Sequence, residues 1–534
     1  MGLGKLSKMT KDDAYSVAVL VREQAAQLED APVFTFEGET TTYRQLEENS
    51  KRLANGLRSL GIGKGDRVAF LGKNSPAYFE LIVAAAHIGA VVTPVNWRLA
   101  VPEMTYILSD CGAKTVFVGA EFLGLVADLK AECSALDHVF DVEGLGTDYP
   151  HFQNWREGFG TDLSETDTHC DNPLVQLYTS GTTGRPKGAV ISHRAVLALR
   201  GQDPSDQLLD WQVWEQGESG LLAMPCFHVG GTVFGLGIIH SGANAVIVRE
   251  YDPRQALDFI ETYKIGRMFM VPAALQLLLN DPRIQDTNFA KLRYIYYGAS
   301  PIPLELMRES MRVFGCGFVQ MYGMTETSGT IVTLNPEDHD PDGSEKMRSV
   351  GKPLHGVEVK VIDADGALLP ARSVGEIAVR SVKNMTGYWN KPDATAQTID
   401  AEGWLRTGDA GYLDEDGYLY IHDRVKDMII SGGENIYPAE VENALYSHPK
   451  IADVAVIGVP DEKWGETVMA YIVAKDGETL ESDEVIAYAR TQIAGFKCPK
   501  RVAFIPALPR NASGKILRRE LRAPHWKGHD RAVN

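Results

Sequence analysis

The stretch LVQLYTSGTTGRPKGAVISH, residues 174–193, carries the densest chemistry in the chain. Thr179, Ser180, Gly181, Thr182, Thr183 and Gly184 are all glycines or hydroxyl residues, so backbone N–H groups and short side chains can approach an anion closely. Lys187 adds a cation. Such a loop can cradle phosphates, although it is not a G-x-x-x-x-G-K-[ST] loop, because Pro186 stands where that pattern needs glycine. An ordinary turn between strands rarely strings six such residues before a lysine. Further on, Glu326 follows the hydroxyl of Thr325 in YGMTE (322–326), a pair of hard oxygen ligands that suits Mg²⁺. Asp409 in RTGD can accept two hydrogen bonds from a diol, though an Asp beside glycine is by default a turn former. His228 in PCFHVGG would read in isolation as a core histidine, with Gly230 and Gly231 leaving room beside it. Lys515, in NASGKILRREL, would read in isolation as a surface lysine at a helix start.

These groups need elements to hold them. LVQLY reads as a strand before the loop, and Ser192 as the cap of the helix that follows. Thr42 and Gln45 fit a capping box, with Leu46, Leu53 and Leu57 on one face and Gly61 ending the run. The apolar runs 67–72, 115–118, 245–248 and 293–298 alternate with helix-like stretches such as 253–263 and 303–313, which predicts an α/β architecture. Gly298 and Ala299, in YYGASP, fall at a predicted strand end. After about residue 350 short strands separated by Gly and Asp turns predict a small β subdomain. From about 423 a separate α+β domain of roughly 110 residues follows, with a helix starting at Pro438, strands at 453–459 and 468–474, and Ser482 as a further cap.

The chain has 534 residues, 44% hydrophobic and 23% charged, which excludes disorder, collagen and coiled coil. A net charge of −18 opposes non-specific binding to nucleic acid or an anionic membrane. Residues 497–534 reverse this locally, with ten Lys or Arg against Glu520 and Asp530; they form either a solvated basic face or an attractor of phosphates. Six scattered cysteines without a CxxC pair argue for reduced thiols and the cytoplasm. The longest nearly apolar stretch, 81–92, contains His87 and is too short for a membrane span. A homodimer is the default among soluble oligomers.

YTSGTTGRPKG (178–188) resembles the phosphate loop of the adenylate-forming superfamily of acyl-CoA synthetases, luciferases and peptide-synthetase adenylation domains. YGMTE, GWLRTGD (403–409), DRVKDMI (423–429), SGGENIYPAEVE (431–442) and NASGK (511–515) agree in the family's order. The resemblance runs from about residue 40 to about 522. ISGGEN (430–435) is more similar to bacterial fatty-acyl-CoA ligases than to plant aryl-CoA ligases and luciferases, which carry lysines where this chain has Ile430 and Gly432.

The resemblance implies a large N-terminal domain, residues 1–423, of α/β layers with a small β-barrel-like subdomain, and a mobile α+β C-terminal domain, 424–534. The hinge would lie at 423–427 with Lys426 at its centre. ATP would be held by the 179–187 loop, by the wall Gly298, Ala299 and Ser300, and by Gln320, Met321, Tyr322, Gly323 and Thr325, with Asp409 and Arg424 on the ribose. Glu326 and Thr182 would assist Mg²⁺. Lys515 would hold the substrate carboxylate and α-phosphate, and His228 would lie near that carboxylate. Ser431, Gly432 and Gly433 would meet the pantetheine of coenzyme A after domain rotation. Val229, Gly230 and Met324 would line an acyl pocket with no charge to bind an ammonium group.

The implied activity is ATP- and Mg²⁺-dependent ligation of an apolar, fatty acid to CoA through acyl-AMP. The alternatives are an aryl or phenylpropanoid acid as substrate, or a separate carrier protein as acceptor.

Overall fold

The computed structural model describes residues 15–146, 148–164, 168–179, 185–198, 208–300, 302–424, 427–431, 434–461, 463–510 and 516–527, with the backbone alone for 422–424, 434 and 435. Among them the strands form four sheets. The alternating apolar runs become two large, mainly parallel sheets. One has nine strands in the order Lys352–Pro353, Gly329–Leu334, Gly317–Met324, Tyr294–Gly298, Ile265–Met270, Ser219–Leu222, Asn244–Ile247, Pro32–Phe36 and Glu39–Thr42. The other has seven: Gly387–Tyr388, Lys187–Ser192, Pro173–Thr179, Val91–Pro94, Arg67–Leu71, Thr115–Val118 and His138–Asp141. Its strands Arg67–Leu71 and Thr115–Val118 are buried at every residue, as parallel strands covered on both faces should be.

The nearly apolar 81–92 stretch proves to be most of helix Pro76–Ile88 and the strand after it. The helix is buried at every residue from Tyr78 to Ile88 and shares one core with Phe34 and Ile247 of the nine-stranded sheet and Val68 and Leu177 of the seven-stranded sheet. A helix apolar all round belongs between layers. Its buried Glu80 is paired with Arg156 at 2.8 Å, and His87 stands 3.5 Å from Glu47; buried charge is tolerable only when paired. No helix among the described residues is long and apolar enough to cross a membrane.

Local signals behaved as their chemistry requires. The Thr42–Gln45 capping box opens helix Tyr43–Ser59, and Ser192 accepts from the Ala195 N–H. Ser482 is a correction: it is the first helical residue of Ser482–Gln492, and Glu481 takes the cap position with no side-chain cap bond. Asp483 and Glu484 occupy the first turn instead, where carboxylates interact favourably with the positive end of the helix dipole.

The small β subdomain is a four-stranded antiparallel sheet, Glu358–Ile362, Gly375–Arg380, Leu405–Leu413 and Leu419–Arg424. The next sheet starts at Ile429–Ser431 and is built on the long hairpin Ile451–Asp461 and Gly465–Ala474, with Arg501–Phe504 added in parallel. Helix Pro438–Tyr446 buries Val441 and Leu445 into its own core. Arg424 therefore still belongs to the last strand of the small sheet.

Candidate active site

The phosphate-loop stretch links two antiparallel strands. Thr179 ends one strand, Lys187 begins its antiparallel partner, and the two are directly opposed. Ser180, Gly181, Thr182, Thr183 and Gly184 lie outside the described residues, as do Lys426, Gly432, Gly433, Lys515 and the side chain of Arg424.

Glu326 meets this strand pair at its Thr179–Lys187 end. Its carboxylate, 6% exposed, accepts at Oε1 from Tyr388 Oη (2.8 Å) and Thr179 Oγ1 (3.4 Å). The Lys187 ammonium sits 4.4 Å above the centre of the Tyr388 ring, a cation–π arrangement. Tyr388 escaped sequence reading; the only signal was an aromatic pair after Gly387, which reads as an edge strand. A strap, residues 383–389, does the lacing. Met385 N–H donates to the Glu326 carbonyl (2.8 Å), Thr386 N–H to the Val190 carbonyl (2.9 Å) and Trp389 N–H to the Gly188 carbonyl (2.8 Å). The buried Lys383 donates to the Thr330 carbonyl. The strap thus ties the Thr325–Thr327 turn to the phosphate hairpin.

A second pair lies on the neighbouring sheets. Tyr322 Oη donates to Asp409 Oδ2 at 2.7 Å, and Asp409 opposes Arg424 in register. Gly298 is directly opposite Met321, and a Cβ on Gly298 would run into the Met321 carbonyl. Ala299 then turns left-handed, at φ 66°, and Ser300 follows, partly exposed. Gly323 sits at a β-bulge where a Cβ would strike the Gly329 carbonyl; bulges commonly re-aim a strand beside a site. Gln320, Met321, Tyr322, Gly323 and Thr325 therefore form one edge with Gly298, Ala299 and Asp409.

His228 caps helix Val229–His240. Its ring lies 4.6 Å from that of Phe227, and its buried Nε2 has no hydrogen-bond partner among the described residues. Burial, with Arg98 nearby, pushes the imidazole down to about 4, so at neutral pH it offers a hydrogen bond and no charge. Gly231 is a correction to the sequence reading, since the space its missing side chain leaves is filled by backbone, whereas Gly230 stays partly exposed beside the Phe269 ring. A Cβ on Gly230 would come within 2.8 Å of Phe269, and one on Gly231 would strike the Pro225 carbonyl. A Cβ on Gly329 would lie 3.7–3.8 Å from Val233 and Val229. Met324, grouped with Val229 and Gly230 by resemblance, packs against Ala189, Met385, Tyr388 and Leu405, because the Thr325–Thr327 turn that starts just after it is pulled toward the strap.

Ser431 pairs with Glu434 and Gly465 in the C-terminal sheet. Of the basic C-terminal residues, Lys497, Arg510, Arg518 and Arg522 are held by Glu440, Asp453, Glu442 and Asp427 at 2.6–2.9 Å. Much of the charge reversal thus stitches the C-terminal fold together.

The strand pair that ends at Thr179 and begins at Lys187, the buried Glu326 beside it and the Tyr322–Asp409 pair are the arrangement that the resemblance to adenylate-forming enzymes implies, and comparison with known proteins gives the class. AMP-binding enzymes match residues 21–389, and the C-terminal domain of AMP-binding enzymes matches 440–515. A fatty acid–[acyl-carrier-protein] ligase, ScoC, from Streptomyces coeruleorubidus is 43% identical over 504 residues, 94% of this chain and 95% of that one. A feruloyl-CoA synthase from an Amycolatopsis species is 38% identical, covering 91% and 94%. The anthranilate CoA ligase AuaEII, solved with anthranoyl-AMP, superposes with a TM-score of 0.87 at 26% identity over 98% of this chain and 99% of that one. The chain belongs to the AMP-binding enzyme family.

Proposed function

We propose that this enzyme activates an apolar carboxylic acid, a fatty acid first, with ATP and Mg²⁺, and transfers the acyl group to CoA. The observation that carries the reading is the meeting of Thr179, Lys187, Glu326 and Tyr388 at one end of the phosphate hairpin. A carboxylate is a poor acyl donor, because its leaving group would be oxide. Attack of its oxygen on the α-phosphorus of ATP expels pyrophosphate and leaves acyl-AMP. Attack of the CoA sulfur on the acyl carbon then expels AMP, with the thiol proton lost to solvent. Neither step needs a protein nucleophile; both need charge neutralised and atoms aligned.

Thr179 and Lys187, with the loop between them, bind the phosphates; Asp409 and Arg424 take the ribose; Gln320 to Thr325 line the base. The donor set suits Mg²⁺: Glu326 Oε1 is held by Tyr388 and Thr179, while no protein hydrogen bond to Oε2 is found among the described residues. Mg²⁺ bound by Glu326 and Thr182 would neutralise phosphate charge. Lys515 aligns carboxylate and α-phosphate in the first step, and rotation of the C-terminal domain about 423–427 brings Ser431, Gly432 and Gly433 to the thiol in the second. The apolar side chains of Val229 and Val233, which pack beside Gly329, support an apolar acid. Six free thiols support the cytoplasm, where ATP and CoA are abundant.

The 43% identity to a carrier-protein ligase supports a second reading, in which a carrier's phosphopantetheine thiol replaces CoA. AMP release across fatty, aryl and amino acids, with and without CoA, tests both. AMP formation that requires an apolar acid and CoA is the expected result. Pyrophosphate release that CoA leaves unchanged, but a phosphopantetheinylated carrier accelerates, establishes the second reading. Release driven by amino acids alone sinks both.

A further inference from the structure

Gln320 is the first residue of the edge that lines the nucleotide base, and its carboxamide is held from behind by two side chains. His339 Nδ1 lies 2.8 Å from the Asn335 carbonyl oxygen. A carbonyl can only accept, so Nδ1 carries the ring proton. Burial among Tyr297 and Phe318 pushes the imidazole down to about 4, against the upward pull of the Asn335 carbonyl and Asp338. At neutral pH the ring is therefore uncharged, and Nε2 is a bare lone pair.

Tyr297 Oη stands 2.9 Å from that Nε2. With one hydroxyl proton to give, Tyr297 donates it to His339. The same Oη is 3.3 Å from Gln320 Oε1, and an oxygen facing an oxygen with no proton between them sets lone pair against lone pair. The contact becomes a hydrogen bond when the carboxamide, whose oxygen and nitrogen are alike in shape, turns to bring its NH₂ group to Tyr297. Its carbonyl oxygen then faces away from the relay. No other partner of this amide is found among the described residues, and Gln320 keeps 8% exposure, so the outward atom is left for a ligand. An outward oxygen accepts; it matches the 6-amino group of adenine and repels the 6-oxo group of hypoxanthine or guanine.

We propose that His339 and Tyr297 are positioning residues that lock the Gln320 carboxamide with its oxygen toward the base, and so set the preference for a 6-amino over a 6-oxo purine nucleotide. The inference rests on the reading that Gln320 lines the base. The directionality runs Gln320 N–H to Tyr297, Tyr297 O–H to His339 and His339 N–H to the Asn335 carbonyl, and each group uses the donor or acceptor the next one needs.

The test compares ATP with inosine triphosphate, which carries a carbonyl in place of the 6-amino group, as kcat/KM for pyrophosphate release in the wild type, Tyr297→Phe, His339→Phe and Gln320→Met. In Tyr297→Phe nothing orients the amide, and the ATP preference should fall about tenfold, the worth of one hydrogen bond of ordinary strength. In His339→Phe the tyrosine proton is freed to donate to Oε1 and turns the amide round, so the preference should fall further. That order, wild type above Tyr297→Phe above His339→Phe, is one that general packing damage would not produce. The KM of the acid should not change. Gln320→Met separates the two readings: a ratio unchanged in it overturns Gln320 as a base contact. A ratio lost in Gln320→Met but kept in Tyr297→Phe and His339→Phe overturns the relay alone. Thermal melts of each variant identify misfolding, and if one histidine or tyrosine variant fails to fold, the other still decides the relay.

Discussion

The Tyr388 hydroxyl donates to Glu326 Oε1 across 2.8 Å and 62 residues of sequence, while the ring of the same tyrosine lies under the Lys187 ammonium at 4.4 Å. One side chain therefore sets both the carboxylate and the cation that flank the phosphate hairpin. Its place on a two-residue edge strand paired to Ala189 makes that setting a property of the seven-stranded sheet.

Tyr388→Phe keeps the ring and its cation–π contact and removes only the hydroxyl. A hydrogen bond to a charged group is worth about 1.5–3 kcal/mol, so the KM for ATP and the Mg²⁺ concentration giving half-maximal rate should each rise at least about tenfold. The KM for the acid should stay put. Pyrophosphate exchange measured over a Mg²⁺ titration reads this directly, and an unchanged Mg²⁺ dependence would remove Tyr388 from the site.

The groups visible in the sequence were those that carry their chemistry within a short run. The 179–187 stretch announces itself by residue type and spacing, whereas Glu326 and Asp409, the latter within strand Leu405–Leu413, stand out through the family resemblance of the motifs around them. Tyr388, Tyr297 and His339 do not, because each acts through a partner brought close only by sheet pairing or by a turn far along the chain. Gly231 misled for a related reason. Glycine signals close approach without saying of what, and here the approach is by the Pro225 carbonyl. Helix Pro76–Ile88 shows a similar limit, since its apolar run marks burial, while its place between two sheets follows from strand order.

Gly298→Ala tests the base-side wall. The added methyl would be driven into the Met321 carbonyl of the adjacent strand, and backbone cannot yield as a flexible side chain can. Overpacking of this kind costs about 1–3 kcal/mol. Tm should fall, and the KM for ATP should rise more than the KM for the acid. A variant with wild-type Tm and KM would show that the strand pair opens freely.

Lys383 predicts a pH dependence of stability. The side chain is 3% exposed, and burial pushes its ammonium from 10.5 down to about 7. Between about pH 7 and 10 the unfolded chain holds a proton here that the folded chain has released, so this group's contribution to stability rises with pH in that window. The cost of burying the charge is fully present below about 7 and relieved toward 10. In Lys383→Met that slope, at most about 1.4 kcal/mol per pH unit, should vanish, so the variant gains on the wild type at pH 6.5 and loses ground at pH 9. Urea melts at the two pH values give the answer, and parallel slopes would mean that Lys383 stays protonated throughout.

In the roles proposed above, Lys515 and Gly433, both outside the described residues, should separate the half-reactions. A lysine that aligns carboxylate with α-phosphate and a thiol that attacks the same carbonyl carbon would crowd one centre, so the two are needed at different times. Lys515→Ala should depress acyl-AMP formation by at least about a hundredfold, the scale of one lost transition-state contact of about 2.7–4 kcal/mol. It should leave thioester formation from added acyl-AMP and CoA near the wild-type rate. Gly433→Trp should do the reverse, because a bulky side chain beside Ser431 would fill the path of the pantetheine and leave the phosphate hairpin untouched. Rapid-quench measurement of each half-reaction gives four rates, and only the crossed pattern fits a domain that serves two steps in turn. Equal loss of both rates in both variants would mean a single fixed arrangement, and would take the hinge at 423–427 down with it.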